Sequence, residues 1–179
     1  PESRSTPEIV KVTGSARILI APGVGGDSRR AWGLNNFLRV AEALRTGGAS
    51  VTWLEGPDDA PYLEGLPTDD NHPRFRFERH ELPRLLDRLG ETDLLICHDT
   101  AYVHIAAGAG VSTVAIYGAG QEGRFYPAGG RIKILASQIA CAGCQWHCLW
   151  DRLVCVADIP VEIVTQAAEE MLAGDPAPI

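Results

Sequence analysis

The chain has 179 residues, 45% of them hydrophobic and 22% charged, a composition typical of a globular protein with one domain and a core of ordinary size. Lys and Arg number 16 against 23 Asp and Glu, and the net charge of −7 excludes a general attraction for nucleic acid or an anionic membrane. No apolar run reaches the ~20 residues of a membrane span, and the polar start lacks the apolar core of a secretion signal, so we expect a cytoplasmic protein.

Strands and helices alternate along the predicted elements. Residues 1–15 are predicted as a flexible lead-in and residues 16–174 as one domain. Short apolar runs predict strands at 16–22, 50–56, 93–98, 112–118 and 131–137, with an edge strand at 74–78. Helical spacing predicts helices from Leu34 to the Gly47-Gly48 pair, at 81–92, at 101–110 and at 160–174. Because the strands are continuous apolar runs, we predict an α/β fold with a mostly parallel sheet and helices on both faces.

A glycine-rich loop, "GVGGDSRRAWG" (residues 23–33, the glycine loop), follows the first strand. Three glycines permit positive φ and a close approach of backbone to ligand: Gly23, Gly25 and Gly26. The loop then supplies three polar donors, Ser28, Arg29 and Arg30, and arginine suits a diphosphate. Its spacing is that of neither an ATPase nor a dinucleotide-binding loop. A loop with two solvated arginines is the alternative.

A second candidate site lies where the strand "DLLICH" passes into the helix "AYVHIAAGAG". Asp99 and Thr100 stand at this junction, beyond the carboxyl end of a predicted parallel strand, where ligands bind in such sheets. The first N–H groups of the helix suit a phosphate, and His104 shares a helix face with Thr100. An Asp-Thr helix cap with a hydrogen-bonded core histidine would explain the same residues, so both interpretations stay open.

Four of the five cysteines lie between residues 138 and 158, which we call the cysteine loop. They are Cys141, Cys144, Cys148 and Cys155. The Cys-x2-Cys pair and four thiolates are typical of a tetrahedral Zn or Fe site, with His147 as a spare ligand. No open coordination position is evident, so the ion would be structural. Two disulfides or four reduced thiols are the alternatives.

The remaining polar groups receive ordinary interpretations. We predict Cys97 as a buried small residue, and Asp58-Asp59 as part of a solvated acidic loop. Three histidines, His72, His80 and His98, have no partner that the sequence identifies and are predicted at the surface or in loops. Trp146 and Trp150 are predicted either to pack around the cysteine loop or to be ordinary core aromatics.

Taken together, these stretches resemble glycosyltransferase family 9, the ADP-heptose:lipopolysaccharide heptosyltransferases and their relatives, over residues 16–173. Residues 99–107, "DTAYVHIAA", resemble the family's strongest motif, Asp-Thr-Gly-x-x-His-x-Ala-Ala. The weaker motifs occur in the family's order as "ILIAPG", "RRAWGLNNFLRVAEAL", "VTWLEGPDD" and "VAIYGAG". The resemblance implies a Rossmann-like domain, the C-terminal half of a GT-B fold, that binds a nucleotide-sugar donor such as ADP-heptose.

The resemblance also implies roles for single residues. Asp99 would lie near the donor sugar, Thr100 and the Ala101 N–H would contact the diphosphate, and His104 would support that site. Arg30, or else Arg29, would neutralise the phosphates, and Asp58 would lie near the ribose. The chain departs from the family pattern at three positions: Ala101 replaces Gly, Gly33 replaces Pro and Gly120 replaces Thr.

The family's other, N-terminal domain carries the acceptor site and the catalytic base, and we expect it as the partner of this domain. The chain alone should then bind a donor but transfer it poorly or not at all. In the full enzyme we expect an inverting transfer of heptose to lipopolysaccharide core or protein hydroxyls. The branch that glycosylates autotransporter proteins is associated with a four-cysteine iron site, which the spacing in the cysteine loop resembles, and a homo-oligomer is possible. Two rivals remain: a metal-braced scaffold that binds no nucleotide, and a GT-B sugar-nucleotide epimerase that prefers UDP.

Overall fold

A computed structural model describes residues 15–56, 59, 77–78 and 80–174 of the chain, with 77–78 as backbone only. Of the predicted lead-in, only Ser15 falls within these ranges. Asp58 and His72 lie outside the described residues.

Six strands form a single sheet within the described ranges. They are β1 (Arg17–Ala21), β2 (Ser50–Leu54), β3 (Phe77–Glu78), β4 (Leu94–His98), β5 (Thr113–Tyr117) and β6 (Ile132–Ala136). Their order is β3-β2-β1-β4-β5-β6, and every neighbouring pair is parallel. The chain therefore reverses direction across the sheet between β1 and β4, which is where ligands bind in doubly wound α/β folds.

Five α-helices are described: α1 (Leu34–Thr46), α2 (Leu82–Gly90), α3 (Ala101–Ala109), α4 (Val154–Ala157) and α5 (Val161–Ala173). Helix α1 ends at the predicted glycine pair, with Gly47 as its cap. Helix α5 starts after Pro160 and ends at Gly174, which adopts the left-handed conformation that favours glycine. The predicted helices and the five predicted apolar strands are thus confirmed to within a few residues of their bounds. Of the predicted edge strand at 74–78, only Phe77–Glu78 lie in the described ranges, and the short helix α4 was not predicted.

The sheet buries apolar side chains on both of its faces. In β1, Ile18 and Ile20 belong to one core cluster with residues of α1 and α5. Leu19 and Ala21, which alternate with them, belong to a second cluster with residues of α2 and α3. This arrangement explains why the strands read as continuous apolar runs instead of alternating ones. It confirms the Rossmann-like α/β class with helices on both faces.

The described part of the chain contains no helix whose length and hydropathy would let it cross a membrane.

Candidate functional site

The two candidate stretches meet at the carboxyl edge of the sheet, because β1 and β4 are parallel neighbours. The glycine loop leaves β1 there, and the Asp99-Thr100 junction leaves β4. A small open pocket lies between them. It is lined by Val24, Arg30, His98, Asp99, Ile116, Gly118 and Trp146.

The two adjacent arginines of the glycine loop have different surroundings. Asp27 caps the short 3-10 helix Ser28–Arg30 by accepting from the Arg29 backbone N–H. The Arg29 guanidinium donates twice to the same carboxylate, at 3.0 and 2.8 Å, and this pairing holds the pKa of Asp27 below its usual range. Ser28 is exposed at the start of the same helix. Of the three predicted donors of this loop, Arg30 lines the pocket, whereas Ser28 and Arg29 do not.

Arg30 has unused hydrogen-bonding capacity at the pocket. Its guanidinium carbon lies 4.5 Å from the centroid of the Trp146 ring, which is cation–π distance. Its Nε is buried and has no hydrogen-bond partner among the described residues, and the nearest Asp27 oxygen lies 3.8 Å away. A buried guanidinium nitrogen without a partner is costly, and an anion in the pocket would satisfy it.

His98 ties the glycine loop to β4, contrary to the prediction of a surface or loop histidine. Its side chain is 3% exposed, Nε2 accepts from the Trp32 backbone N–H at 2.9 Å, and Nδ1 lies 3.1 Å from the Gly23 carbonyl oxygen. Because a carbonyl only accepts, Nδ1 carries the proton and the imidazole is neutral. Burial lowers the pKa of His98 to about 4, so it stays neutral at physiological pH.

Asp99 is half-buried at the end of β4, next to the pocket. Burial raises the pKa of its carboxyl group. The nearby Tyr117 hydroxyl, whose proton is directed to the Phe125 carbonyl at 3.4 Å, and the charges of His104 and Arg30 act in the opposite direction. Asp99 is therefore a half-buried carboxyl group at the pocket, and its pKa lies above that of an exposed aspartate.

Helix α3 begins directly after Thr100 and directs its first N–H groups toward this edge of the sheet. Thr100 is the N-cap residue, yet its side chain makes no capping hydrogen bond. Its Oγ1 is buried and lacks a partner in the described ranges. Ala101 is exposed at the first helical position, and His104 is exposed one turn further. Thr100 therefore does not cap the helix with its hydroxyl group. The first backbone N–H groups of α3 lack a side-chain cap and remain suited to an anion.

Asp59, in the acidic loop after β2, is buried, whereas the sequence predicted a solvated carboxylate. Asp59 is 6% exposed and accepts from the Gly56 backbone N–H at 2.7 Å. A Cβ at Gly23 would lie within 2.0 Å of atoms of this carboxyl group, so only glycine fits there. The expectation for Asp59 was wrong because its burial depends on the glycine loop, which is remote in sequence.

The cysteine loop lies beside the pocket, and all five cysteines of the chain are free. Burial raises the pKa of the Cys155 thiol, and the nearness of Cys141, Cys144 and Cys148 raises it further. The four thiols therefore lie within electrostatic range of one another, and their donor chemistry fits a thiophilic ion. As arranged, however, no three or more His, Cys, Asp or Glu side chains in the described ranges could hold a metal ion.

A profile of glycosyltransferase family 9 (heptosyltransferase) matches residues 4–149. The chain belongs to this family. The match covers both candidate stretches and the first three cysteines of the cysteine loop. No curated protein matches the chain at a significant level.

Solved structures of glycosyltransferases share the fold. E. coli ADP-heptose LPS heptosyltransferase II has a TM-score of 0.72 at 16% identity over 91% of this chain and 48% of its own. A family 9 glycosyltransferase from Veillonella parvula has a TM-score of 0.72 at 21% identity, over 90% and 47%. The iron-containing dodecameric glycosyltransferase TibC from enterotoxigenic E. coli has a TM-score of 0.65 at 15% identity, over 96% of this chain and 48% of its own. The chain therefore spans about half the length of these GT-B relatives.

Two of the predicted family 9 site residues, Arg30 and Asp99, line the pocket. Thr100, Ala101 and His104 follow Asp99 at the start of α3, without lining the pocket. Trp146 and His98 line the same pocket but were not proposed for it, because each reaches it through contacts with distant segments. Two sequence features could have indicated Trp146. It lies between Cys144 and Cys148, and the segment after the predicted strand 112–118 contains Gly118 and Gly120, which leave room for a large side chain.

Proposed function

We propose that this chain is the donor-binding domain of an inverting family 9 glycosyltransferase. The donor is a nucleoside-diphosphate sugar of the ADP-heptose type, and the acceptor is a lipopolysaccharide core or a protein hydroxyl. One observation carries the proposal: Arg30 Nε and Thr100 Oγ1 are buried without partners in the described residues, beside the N-terminus of α3. A diphosphate at the N-terminus of α3 would accept from the free helix N–H groups, and Arg30 and Thr100 would gain a partner by turning toward it.

The proposed roles follow from charge and position. Arg30 and the first N–H groups of α3, at Ala101, neutralise the diphosphate, which stabilises it as a leaving group. Asp99 lies near the donor sugar, and His104 supports the site through its nearness to Asp99. Ser28 and Asp58 remain predicted donor contacts of this site.

The remaining parts of the reaction come from outside the chain in this proposal. The chain spans about half the length of its solved relatives, whose full chains include a second region. We propose that an N-terminal domain of the same enzyme supplies the acceptor site and the base that activates the acceptor hydroxyl. The cytoplasmic location stays a prediction. Self-association, prompted by the dodecameric TibC, is also part of the proposal and can be checked by light scattering.

A thermal-shift titration of the chain with ADP, UDP, GDP and ADP-heptose tests donor binding. A ligand at 100 times its Kd should raise the free energy of unfolding by about 2.7 kcal/mol. We expect stabilisation by ADP and ADP-heptose only. A preference for UDP would support the epimerase rival, and no shift with any nucleotide would contradict the proposal in favour of the scaffold.

Substitutions locate the binding site. Arg30→Ala and Asp99→Ala should weaken ADP-heptose binding by about tenfold or more, the scale of one charge-assisted hydrogen bond, while the melting temperature changes little. Arg39→Ala is the matched control, because Arg39 is an exposed arginine on α1 that pairs with Glu162 and lies outside the pocket. Unchanged affinity in both pocket variants would contradict the site.

We further propose that Cys141, Cys144, Cys148 and Cys155 hold a structural zinc or iron ion that braces the cysteine loop. Support comes from their spacing, from the nearness of the other three thiols to Cys155 and from the likeness to TibC, which contains iron. The four thiols would have to move closer together around the ion, because the described residues do not form a ready metal site. Elemental analysis should find about one ion per chain in the wild type and in Cys97→Ala, and none in Cys144→Ser. A ferric site would be coloured and a zinc site colourless. Full metal content in Cys144→Ser would exclude the four-cysteine site.

A further inference from the structure

Trp146 connects the cysteine loop to the pocket. A Cβ added to Gly118 would lie 2.6 Å from its ring, and one added to Gly120 would lie 2.7 Å from it. Its other neighbour is the Arg30 guanidinium, 4.5 Å from the ring centroid. The ring therefore lies against the segment after β5 and beneath the one arginine of the glycine loop that lines the pocket.

The backbone of the cysteine loop holds Trp146 in this position. Gly143 N–H donates to the Ala119 carbonyl and Gln145 N–H to the Gly120 carbonyl, both at 2.8 Å. Gln145 and Trp146 have φ values of 51° and 67°, in the left-handed region that bulky residues rarely adopt. Such a conformation persists only where the surrounding contacts enforce it. The loop thus follows a strained path that delivers the ring to the pocket.

The glycines opposite the ring fit the same arrangement. Position 120, where the family resemblance leads us to expect Thr, is Gly in this chain, and the ring occupies the space that a side chain there would need. The indole Nε1 is buried and lacks a hydrogen-bond partner among the described residues. The Trp146 ring thus fills the space beside Gly120 and lines the pocket, whereas Gly120 does not line it.

We propose that Trp146 is a positioning residue of the donor pocket, which holds the Arg30 guanidinium where the diphosphate binds. This inference rests on the proposed function. A flat aromatic face under the guanidinium restricts its rotation while leaving its edge N–H groups free for phosphate oxygens. Without the ring, only the ion pair with Asp27 would restrain the Arg30 guanidinium, and ordering it would cost more free energy each time a ligand binds.

The test measures affinity for ADP and for inorganic pyrophosphate by isothermal titration calorimetry of the whole chain. Trp146→Ala should weaken both by about fivefold to tenfold, in line with the loss of one cation–π contact. Trp146→Phe should restore most of the affinity, because it keeps an aromatic face. The matched control is Trp150→Ala: Trp150 lies in the same loop but is 59% exposed and outside the pocket, so affinity should stay at the wild-type value.

A double-mutant cycle separates positioning from general damage to the fold. If Trp146 acts through Arg30, Trp146→Ala should have little further effect in an Arg30→Ala background. Should Trp146→Ala fail to fold, Gly120→Ala provides the second variant, since its Cβ must displace the ring while the tryptophan remains. It should weaken ADP binding by a similar factor.

The outcomes distinguish this inference from the proposed function. Wild-type protein that binds ADP, with unchanged affinity in Trp146→Ala and Gly120→Ala, overturns the role of Trp146 and leaves donor binding intact. Additive effects of Trp146→Ala and Arg30→Ala overturn it as well. Wild-type protein that binds neither ADP nor pyrophosphate overturns donor binding, and the positioning role with it.

Discussion

At the scale of single residues, His98 shows how one buried side chain fixes a functional loop. Its two nitrogens bond to the backbone at both ends of the glycine loop, at Gly23 and at Trp32. The Trp32 indole N–H in turn donates to the Ile159 carbonyl at 2.7 Å, which ties the loop to the segment before α5. The position of Arg30, two residues before Trp32, depends on this network.

His98 should make the stability of the protein fall in mild acid. Its pKa is about 4 in the folded state against 6.5 for an ordinary histidine, so the unfolded chain binds the additional proton between these pH values. Stability is therefore full above pH 6.5, and about 3 kcal/mol is lost by pH 4. Urea unfolding from pH 7.5 to 4 measures this loss.

The variant His98→Gln provides the comparison for that experiment. It should be less stable at pH 7.5 by about 1–3 kcal/mol, because buried backbone groups lose partners, and its stability should change less with pH. Carboxyl groups with raised pKa values, such as Asp99, act in the opposite direction but are present in both proteins, so they cancel in the difference. Parallel stability curves for the two proteins would contradict the role of His98.

At the scale of elements, helix α3 combines small residues with two glycines in different conformations. Gly108 lies inside the helix with no atom within 4 Å of the space for a Cβ, whereas Gly110 caps it with φ at 72°. Gly108→Ala should therefore stabilise the protein by about 0.5–1 kcal/mol, and Gly110→Ala should destabilise it by about 1 kcal/mol. Chemical denaturation of both variants checks the pair, and the same sign of effect in both would show that the helix ends elsewhere.

The elements themselves were predictable because each is encoded locally. The strand "DLLICH" is a continuous apolar run, and the helices end at glycines such as Gly47 and Gly174, so short windows of sequence suffice. The candidate site was predictable in outline for the same reason, since Asp99 and Thr100 directly follow a strand. The roles of His98 and Asp59 could not be predicted, because their partners lie in loops that approach only after the sheet has formed.

At the scale of the whole molecule, the cysteine loop and the pocket form one unit. The Ala119 backbone N–H lies near enough to the Cys155 thiol to lower its pKa, and Gly143 N–H donates to the Ala119 carbonyl. Arg29 of the glycine loop lies within electrostatic range of Cys148. Three segments that are remote in sequence, those after β1, β5 and β6, thus share contacts around Trp146. A substitution that moves one of these segments should therefore shift the position of the others.

Loss of the proposed ion should therefore weaken donor binding as well as stability. Cys144→Ser should lower both the melting temperature and the affinity for ADP, because the loop that places Trp146 against Arg30 loses its brace. Cys97→Ala is the control for stability alone, since Cys97 is fully buried in β4 and belongs to the core cluster formed with α2 and α3. It should lower the melting temperature but leave ADP affinity within about twofold, because the lost sulfur atom belongs to the core cluster that faces α2 and α3. If Cys144→Ser loses its metal and melts earlier yet binds ADP as tightly as the wild type, the cysteine loop only braces the fold and Trp146 keeps its place without the ion.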